Sequence, residues 1–221
     1  VAVGFKSLVA NTTAGANTVV GTCAGCSNTT GASLVGMGYL ALAANTTGIR
    51  NTALGVYSQR YTSTGNFNTS SGYMSLCSNS TGCYNTAFGD LALRSNTTAC
   101  YNTAVGGCTL YANTTGANNN AFGFLALNKN TCGNHNTGIG YQAMCDTTSG
   151  SYNVSVGNCT LTNQSTGASN TVVGYRGGAS MTTGSNNVAV GQSALKSNTT
   201  ACFNTAVGAC AGFANTTGTY N

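Results

Sequence analysis

The chain has 221 residues, seven of them Lys or Arg and two Asp or Glu, giving a net charge of +5, and it contains no Pro and no Trp. The basic residues Lys6, Arg50, Arg60, Arg94, Lys129, Arg176 and Lys196 form no run, so the charge is scattered solvation and no nucleic-acid partner is expected. No apolar run reaches the ~18 residues that span a bilayer and no basic-then-apolar leader opens the chain, so no membrane span is expected.

The dominant feature is a repeat. Asn-Thr-small-apolar-Gly, as in Asn204-Thr205-Ala206-Val207-Gly208, returns every 17 residues, and its Gly recurs at Gly4, Gly21, Gly38, Gly55, Gly72, Gly89, Gly106, Gly123, Gly140, Gly157, Gly174, Gly191 and Gly208. Thirteen coils of 17 account for the 221 residues, and self-similarity at a short fixed period marks a solenoid. The expectation is an all-β fold, a β-solenoid or β-roll of thirteen coils with two short strands per coil, residues 1–221 forming one repeat domain. Asn221 joined to Val1 would continue the repeat in phase and no atypical capping coil is visible, which predicts a segment of a longer array or an end-to-end polymer.

Numbered from the Asn that opens the motif, coil positions two to four alternate as a strand does. Position four is apolar except at Ser71, and position three is small or Val, so position four is expected to face inward. Gly at position five permits a bend or a close backbone approach. A second strand is expected at positions six to ten, as in Phe124-Leu125-Ala126-Leu127-Asn128 and Asp90-Leu91-Ala92-Leu93-Arg94, since about five residues are too few for a stable helix. Asn-Thr-Thr-Gly, as at Asn28 to Gly31 and Asn215 to Gly218, closes the coil in a turn. Small residues at positions three and eight suggest a second packed face and hence lateral self-association, a trimer being one form. They also suit a narrow interior.

Asn187-Val188-Ala189-Val190-Gly191, Asn17-Thr18-Val19-Val20-Gly21 and Asn153-Val154-Ser155-Val156-Gly157 resemble the head repeats of trimeric autotransporter adhesins and the similar repeats of phage tail-fibre-like proteins. The resemblance covers about five residues of each coil. It implies a left-handed β-roll, three chains packed side by side and a role in adhesion; the uniform 17-residue coil and the Cys content depart from that pattern.

The strongest chemical motif is the N-glycosylation acceptor Asn-x-Ser/Thr. It stands at coil position twelve at Asn11, Asn28, Asn45, Asn79, Asn96, Asn113, Asn198 and Asn215, and elsewhere at Asn68, Asn153, Asn158 and Asn163. Eight acceptors at one turn predict covalent glycans along one edge; a hydrogen-bonded ladder of stacked Asn side chains is the competing reading. Aromatic residues recur at position six (Phe5, Tyr39, Tyr73, Phe124, Tyr141, Tyr175) and position seventeen (Phe67, Tyr84, Tyr101, Tyr152, Phe203, Tyr220), where rings one coil apart are expected to stack.

Eleven Cys point to an oxidising compartment and an extracellular or cell-surface location. Cys83 and Cys100 share position sixteen in consecutive coils and are the disulfide candidates. Cys23 and Cys26 form a C-x-x-C with no second pair and no His at ligand spacing, so neither zinc nor redox chemistry is expected there. Asp90 and Asp146 are too far apart along the repeat to act as a carboxylate pair, and the one His, His135, stands in the aromatic row of position seventeen. No catalytic residue, metal or cofactor is expected. The sequence reads as a non-enzymatic structural subunit of an extracellular, glycosylated fibre or filament; the alternative is an adhesin or tail-fibre head that binds a host surface or glycan.

Overall fold

The computed structural model describes residues 1–221. The chain is all-β and has one short strand per coil: β1 (Ala2–Val3), β2 (Thr18–Val20), β3 (Val35–Met37), β4 (Thr52–Leu54), β5 (Thr69–Ser71), β6 (Thr86–Phe88), β7 (Thr103–Val105), β8 (Asn120–Phe122), β9 (Thr137–Ile139), β10 (Val154–Val156), β11 (Thr171–Val173), β12 (Val188–Val190) and β13 (Thr205–Val207). They are the parallel strands of a β-solenoid. The chain falls into two compact units, Val1–Thr115 with β1 to β7 and Gly116–Asn221 with β8 to β13.

In the first unit each strand pairs with the next at a register of 17, as in Thr52↔Thr69, Ala53↔Ser70 and Leu54↔Ser71. The second unit repeats this, as in Val188↔Thr205, Ala189↔Ala206 and Val190↔Val207. Position three faces the interior: Ala53, Ala87 and Ala104 in the first unit and Ala121, Val172 and Ala189 in the second are fully buried. Position four faces out, and Met37, Phe88, Phe122, Ile139 and Val207 are exposed. The expectation of an inward position four is therefore reversed. The cause is the width of the coil: a Cβ added at Gly36 would already meet Leu42 Cδ1 at 3.3 Å, so only a small side chain fits opposite the Leu of position nine.

The expected second strand is not present, and its segment is a run of turns. Positions seven and nine adopt left-handed backbone, as at Leu40 (φ 56°), Leu42 (φ 54°), Leu91 (φ 60°) and Leu93 (φ 51°), which breaks an extended path. The hydrogen bonds alternate with it: Tyr57 N–H donates back to Tyr39 O (2.9 Å), Ser58 N–H closes the turn on Gly55 O (3.2 Å), and Leu42 N–H donates forward to Ser58 O (3.1 Å). A left-handed Leu costs about 1–2 kcal/mol. Burying its side chain returns about 1.5–3 kcal/mol, and Leu42, Leu76, Leu93, Leu110 and Leu127 are buried.

Gly at position five is required twice over. At Gly89 φ is +129°, and a Cβ there would lie 2.6 Å from Gly106 O of the next coil. Gly89→Ala is accordingly expected to destabilise the protein by about 2–4 kcal/mol in urea unfolding. Gly15→Ala, whose Cβ would meet nothing within 4 Å, should leave the midpoint nearly unchanged; equal losses would contradict this account of the Gly row.

Candidate functional site

The interior of each coil is half apolar and half amide. Positions three, eight and nine supply Ala and Leu, while Asn at position one and Asn at position twelve project into the same interior. Asn51, Asn68, Asn85 and Asn102 in the first unit and Asn136, Asn153, Asn170 and Asn187 in the second have no exposed surface. Each position-one carboxamide makes two kinds of bond. Its Oδ1 accepts the backbone N–H of the next position-one residue, as from Asn68 to Asn51 (2.9 Å) and from Asn170 to Asn153 (3.0 Å). Its Nδ2 crosses its own coil to a position-fifteen carbonyl, as from Asn68 to Gly82 (2.8 Å) and from Asn170 to Gly184 (2.8 Å).

Position twelve forms a second ladder. Asn28 Nδ2 donates to Asn11 Oδ1 (2.8 Å) and to Gly31 O (2.9 Å), and Asn45 Nδ2 donates to Asn28 Oδ1 (2.7 Å) and to Gly48 O (3.1 Å). Asn96 Nδ2 reaches Asn79 Oδ1 (2.9 Å) and Ala99 O (3.0 Å), and Asn113 Nδ2 reaches Asn96 Oδ1 (2.9 Å). In the second unit Asn198 donates to Ala201 O (3.2 Å). Of the residues that replace Asn at this position, Gln164 keeps the role, its Nε2 donating to Gly167 O (2.7 Å) and to Asn153 Oδ1 (3.1 Å), whereas Thr62, Thr147 and Met181 are buried and interrupt the ladder.

This placement bears directly on the glycan acceptors. Asn28, Asn45, Asn79, Asn96, Asn113 and Asn198, together with Asn68 and Asn153 of position one, are buried with the nitrogen that would carry sugar engaged or enclosed. A glycan there has no room inside the coil. The ladder accounts for these residues, and the row of sugars expected from the motif does not fit. Asn11 and Asn215 are half-buried, each with Nδ2 donating within its own turn (3.1 and 2.9 Å). Asn158 and Asn163 are exposed. Asn158 Oδ1 accepts the Tyr141 N–H at 3.2 Å, which leaves its nitrogen outward.

The aromatic residues of position seventeen stack as expected. Phe67 and Tyr84 lie 4.6 Å apart at 6°, Tyr84 and Tyr101 5.2 Å at 9°, and Phe203 and Tyr220 5.0 Å at 2°. His135 joins the row, 4.9 Å from Tyr152 at 7°, and Arg50 covers the face of Phe67 at 5.2 Å. At position six Phe124 and Tyr141 stack at 6.1 Å, whereas Tyr39 and Tyr73 meet the position-seven residue Tyr57 edge-on at 5.4 and 6.1 Å. Asp90 Oδ1 accepts the Tyr73 N–H (3.1 Å), and Asp146 pairs with Lys129 (2.9 Å). The Asp146 hydrogen bond raises the Lys129 pKa, and burial raises the thiol pKa values of Cys77 and Cys145.

The disulfide is Cys23–Cys26, with Cα atoms 4.8 Å apart across one turn, and Cys83 and Cys100 remain thiols. The expected Cys83–Cys100 bond is thus corrected. Side chains at one coil position run parallel, so their Cβ atoms are held one strand spacing apart, ~4.8 Å. A disulfide requires roughly 3.5–4.5 Å between Cβ atoms. A C-x-x-C folded over a turn brings its side chains together; a stacked pair does not.

No family model, curated protein or solved structure matches this chain.

An N-glycosyltransferase acting on the folded protein should modify Asn158 and Asn163 and leave the ladder residues bare, as read by peptide mass mapping. Sugar on Asn28, Asn45 or Asn96 in material that keeps its fold would contradict the buried placement.

Proposed function

We propose that the chain is a non-enzymatic structural subunit of an extracellular fibre or filament, in which copies associate laterally. The observation that carries this reading is the outward face of the strands. Positions two and four present Thr, Val and larger apolar residues in rows one coil apart, with no charged residue at either position in any coil. In the first unit Met37 and Phe88 are exposed there, and in the second Phe122, Ile139, Val154, Val173, Val188 and Val190. Contiguous exposed apolar surface on a protein marks an interaction face. A face that repeats at the coil pitch is matched at every coil only by a surface of the same pitch, which a second copy supplies. Three chains packed through this face would make the trimer that the resemblance to autotransporter adhesin heads implies.

Glycosylation belongs to this proposal only at the exposed Asn158 and Asn163, where sugar would add polarity to a surface poor in charge. The aromatic rows favour the structural role over binding of a host surface or glycan. Tyr84 turns both ring faces, and Phe67 and Tyr101 one each, to a neighbouring ring, so the row strengthens coil-to-coil stacking.

Replacing Phe88, Ile139 and Val190 together by Lys tests the proposal. The circular dichroism spectrum and urea midpoint should stay near wild type, within about 0.5 kcal/mol per exposed site, while lateral assembly measured by sedimentation is lost. A wild-type chain that sediments as a single copy at micromolar concentration, or a Lys variant that assembles as wild type does, would overturn it.

A further inference from the structure

Where position sixteen is Asn, Ser or Cys, its side chain accepts the backbone N–H of the position-sixteen residue one coil earlier. Asn66 Oδ1 accepts from Ile49 (2.8 Å), Ser151 Oγ from Asn134 (3.0 Å) and Ser185 Oγ from Ala168 (3.0 Å). Cysteine fills the same role in two consecutive coils, where Cys83 Sγ accepts from Asn66 N–H (3.2 Å) and Cys100 Sγ accepts from Cys83 N–H (3.0 Å). These are the one pair of Cys residues in the sequence that share a coil position in adjacent coils.

The geometry points to a two-coordinate site for a soft monovalent cation, Cu(I) or Ag(I), between Cys83 and Cys100. The same acceptor bond in both coils fixes the same side-chain direction, so the two sulfurs are separated by the coil repeat of ~4.8 Å. That gap is too wide for direct S–S bonding, yet two metal–thiolate bonds of the zinc–thiolate length, ~2.3 Å, laid end to end span ~4.6 Å. Soft thiolate ligands select cations of this class. Each sulfur already receives a backbone N–H, which fixes its position. Both thiols are half-buried, open to an ion from one side. Their own S–H groups are held only weakly, by Thr81 O at 3.4 Å and Thr98 O at 3.7 Å.

Binding exchanges these two S–H bonds for two S–metal bonds. Both protons pass to buffer, the bridge carries one negative charge, and no electron is transferred. The rings of Tyr84 and Tyr101, stacked 5.2 Å apart beside the two thiols, hold the sites in register before the ion arrives.

The test uses the folded full chain with Cys23–Cys26 intact and silver nitrate in a chloride-free buffer. One equivalent of Ag(I) should protect Cys83 and Cys100 together from iodoacetamide, read by peptide mass mapping, before the exposed Cys132 and Cys210 are protected. The single variants Cys83→Ser and Cys100→Ser should each weaken tightest binding by ~100-fold or more, the loss expected when two linked ligands become one. Ser fills this position at Ser151 and Ser185 with the same accepted bond, so both variants should fold as wild type by circular dichroism. Protection of Cys132 or Cys210 first, or single variants that bind Ag(I) as tightly as wild type, would overturn the site; the protection pattern on the wild-type chain decides the matter even if a variant misfolds.

Discussion

Buried carboxamides hold this fold in register. An amide left without a partner inside a protein costs about 1–3 kcal/mol, and every coil carries one or two. Asn68 and Asn170 have no exposed surface; the Oδ1 of each accepts the backbone N–H of the residue 17 positions on, and the Nδ2 of each donates to a carbonyl across its own coil. Displacing one coil by a single residue would carry that N–H away from the Oδ1 it serves and would turn the inward face outward. The fixed period of 17 is therefore an energetic requirement, enforced by buried amides that find a partner at the same position one coil away.

The interior that results is narrow, and its narrowness decides what the surface displays. Room exists for Ala at position three and Leu at position nine, with the amides occupying the remainder. Larger apolar residues such as Phe88, Phe122 and Ile139 are left on the outer face of the strands. A single chain thus pairs most of its buried amides, Asn45 Oδ1 and Gln164 Oε1 being among the exceptions, but covers only part of its apolar surface. That imbalance is the physical root of the proposed lateral assembly, and the scarcity of charge on the chain leaves little to oppose it.

Much of the fold could be read from the sequence because Gly at position five leaves no alternative. A residue with φ near +130° and a neighbouring carbonyl within contact of its absent Cβ must be Gly, so the period shows without any structure. The direction of the strand was less legible. Hydrophobic pattern assigns the larger residue to the core, and here the constraint is volume, so Ala53 is inside and Leu54 is not. The turns at positions seven and nine were hidden because Leu seldom takes left-handed backbone; Leu93 does so at φ 51°, and no local signal announces it. The acceptor motif at Asn28 and Asn96 carried two readings with one spelling. Both need an Asn-Thr turn on one edge, and only burial separates the ladder from the glycan.

The buried-amide ladder can be tested directly by side-chain hydrogen exchange, following the Nδ2 protons of the Asn residues by NMR in the folded chain. The account predicts that the amides of Asn51, Asn68, Asn96, Asn153 and Asn170 exchange only through opening of the coils, orders of magnitude more slowly than those of Asn158 and Asn163. Exchange of the ladder amides at the rate of the two exposed ones would contradict it.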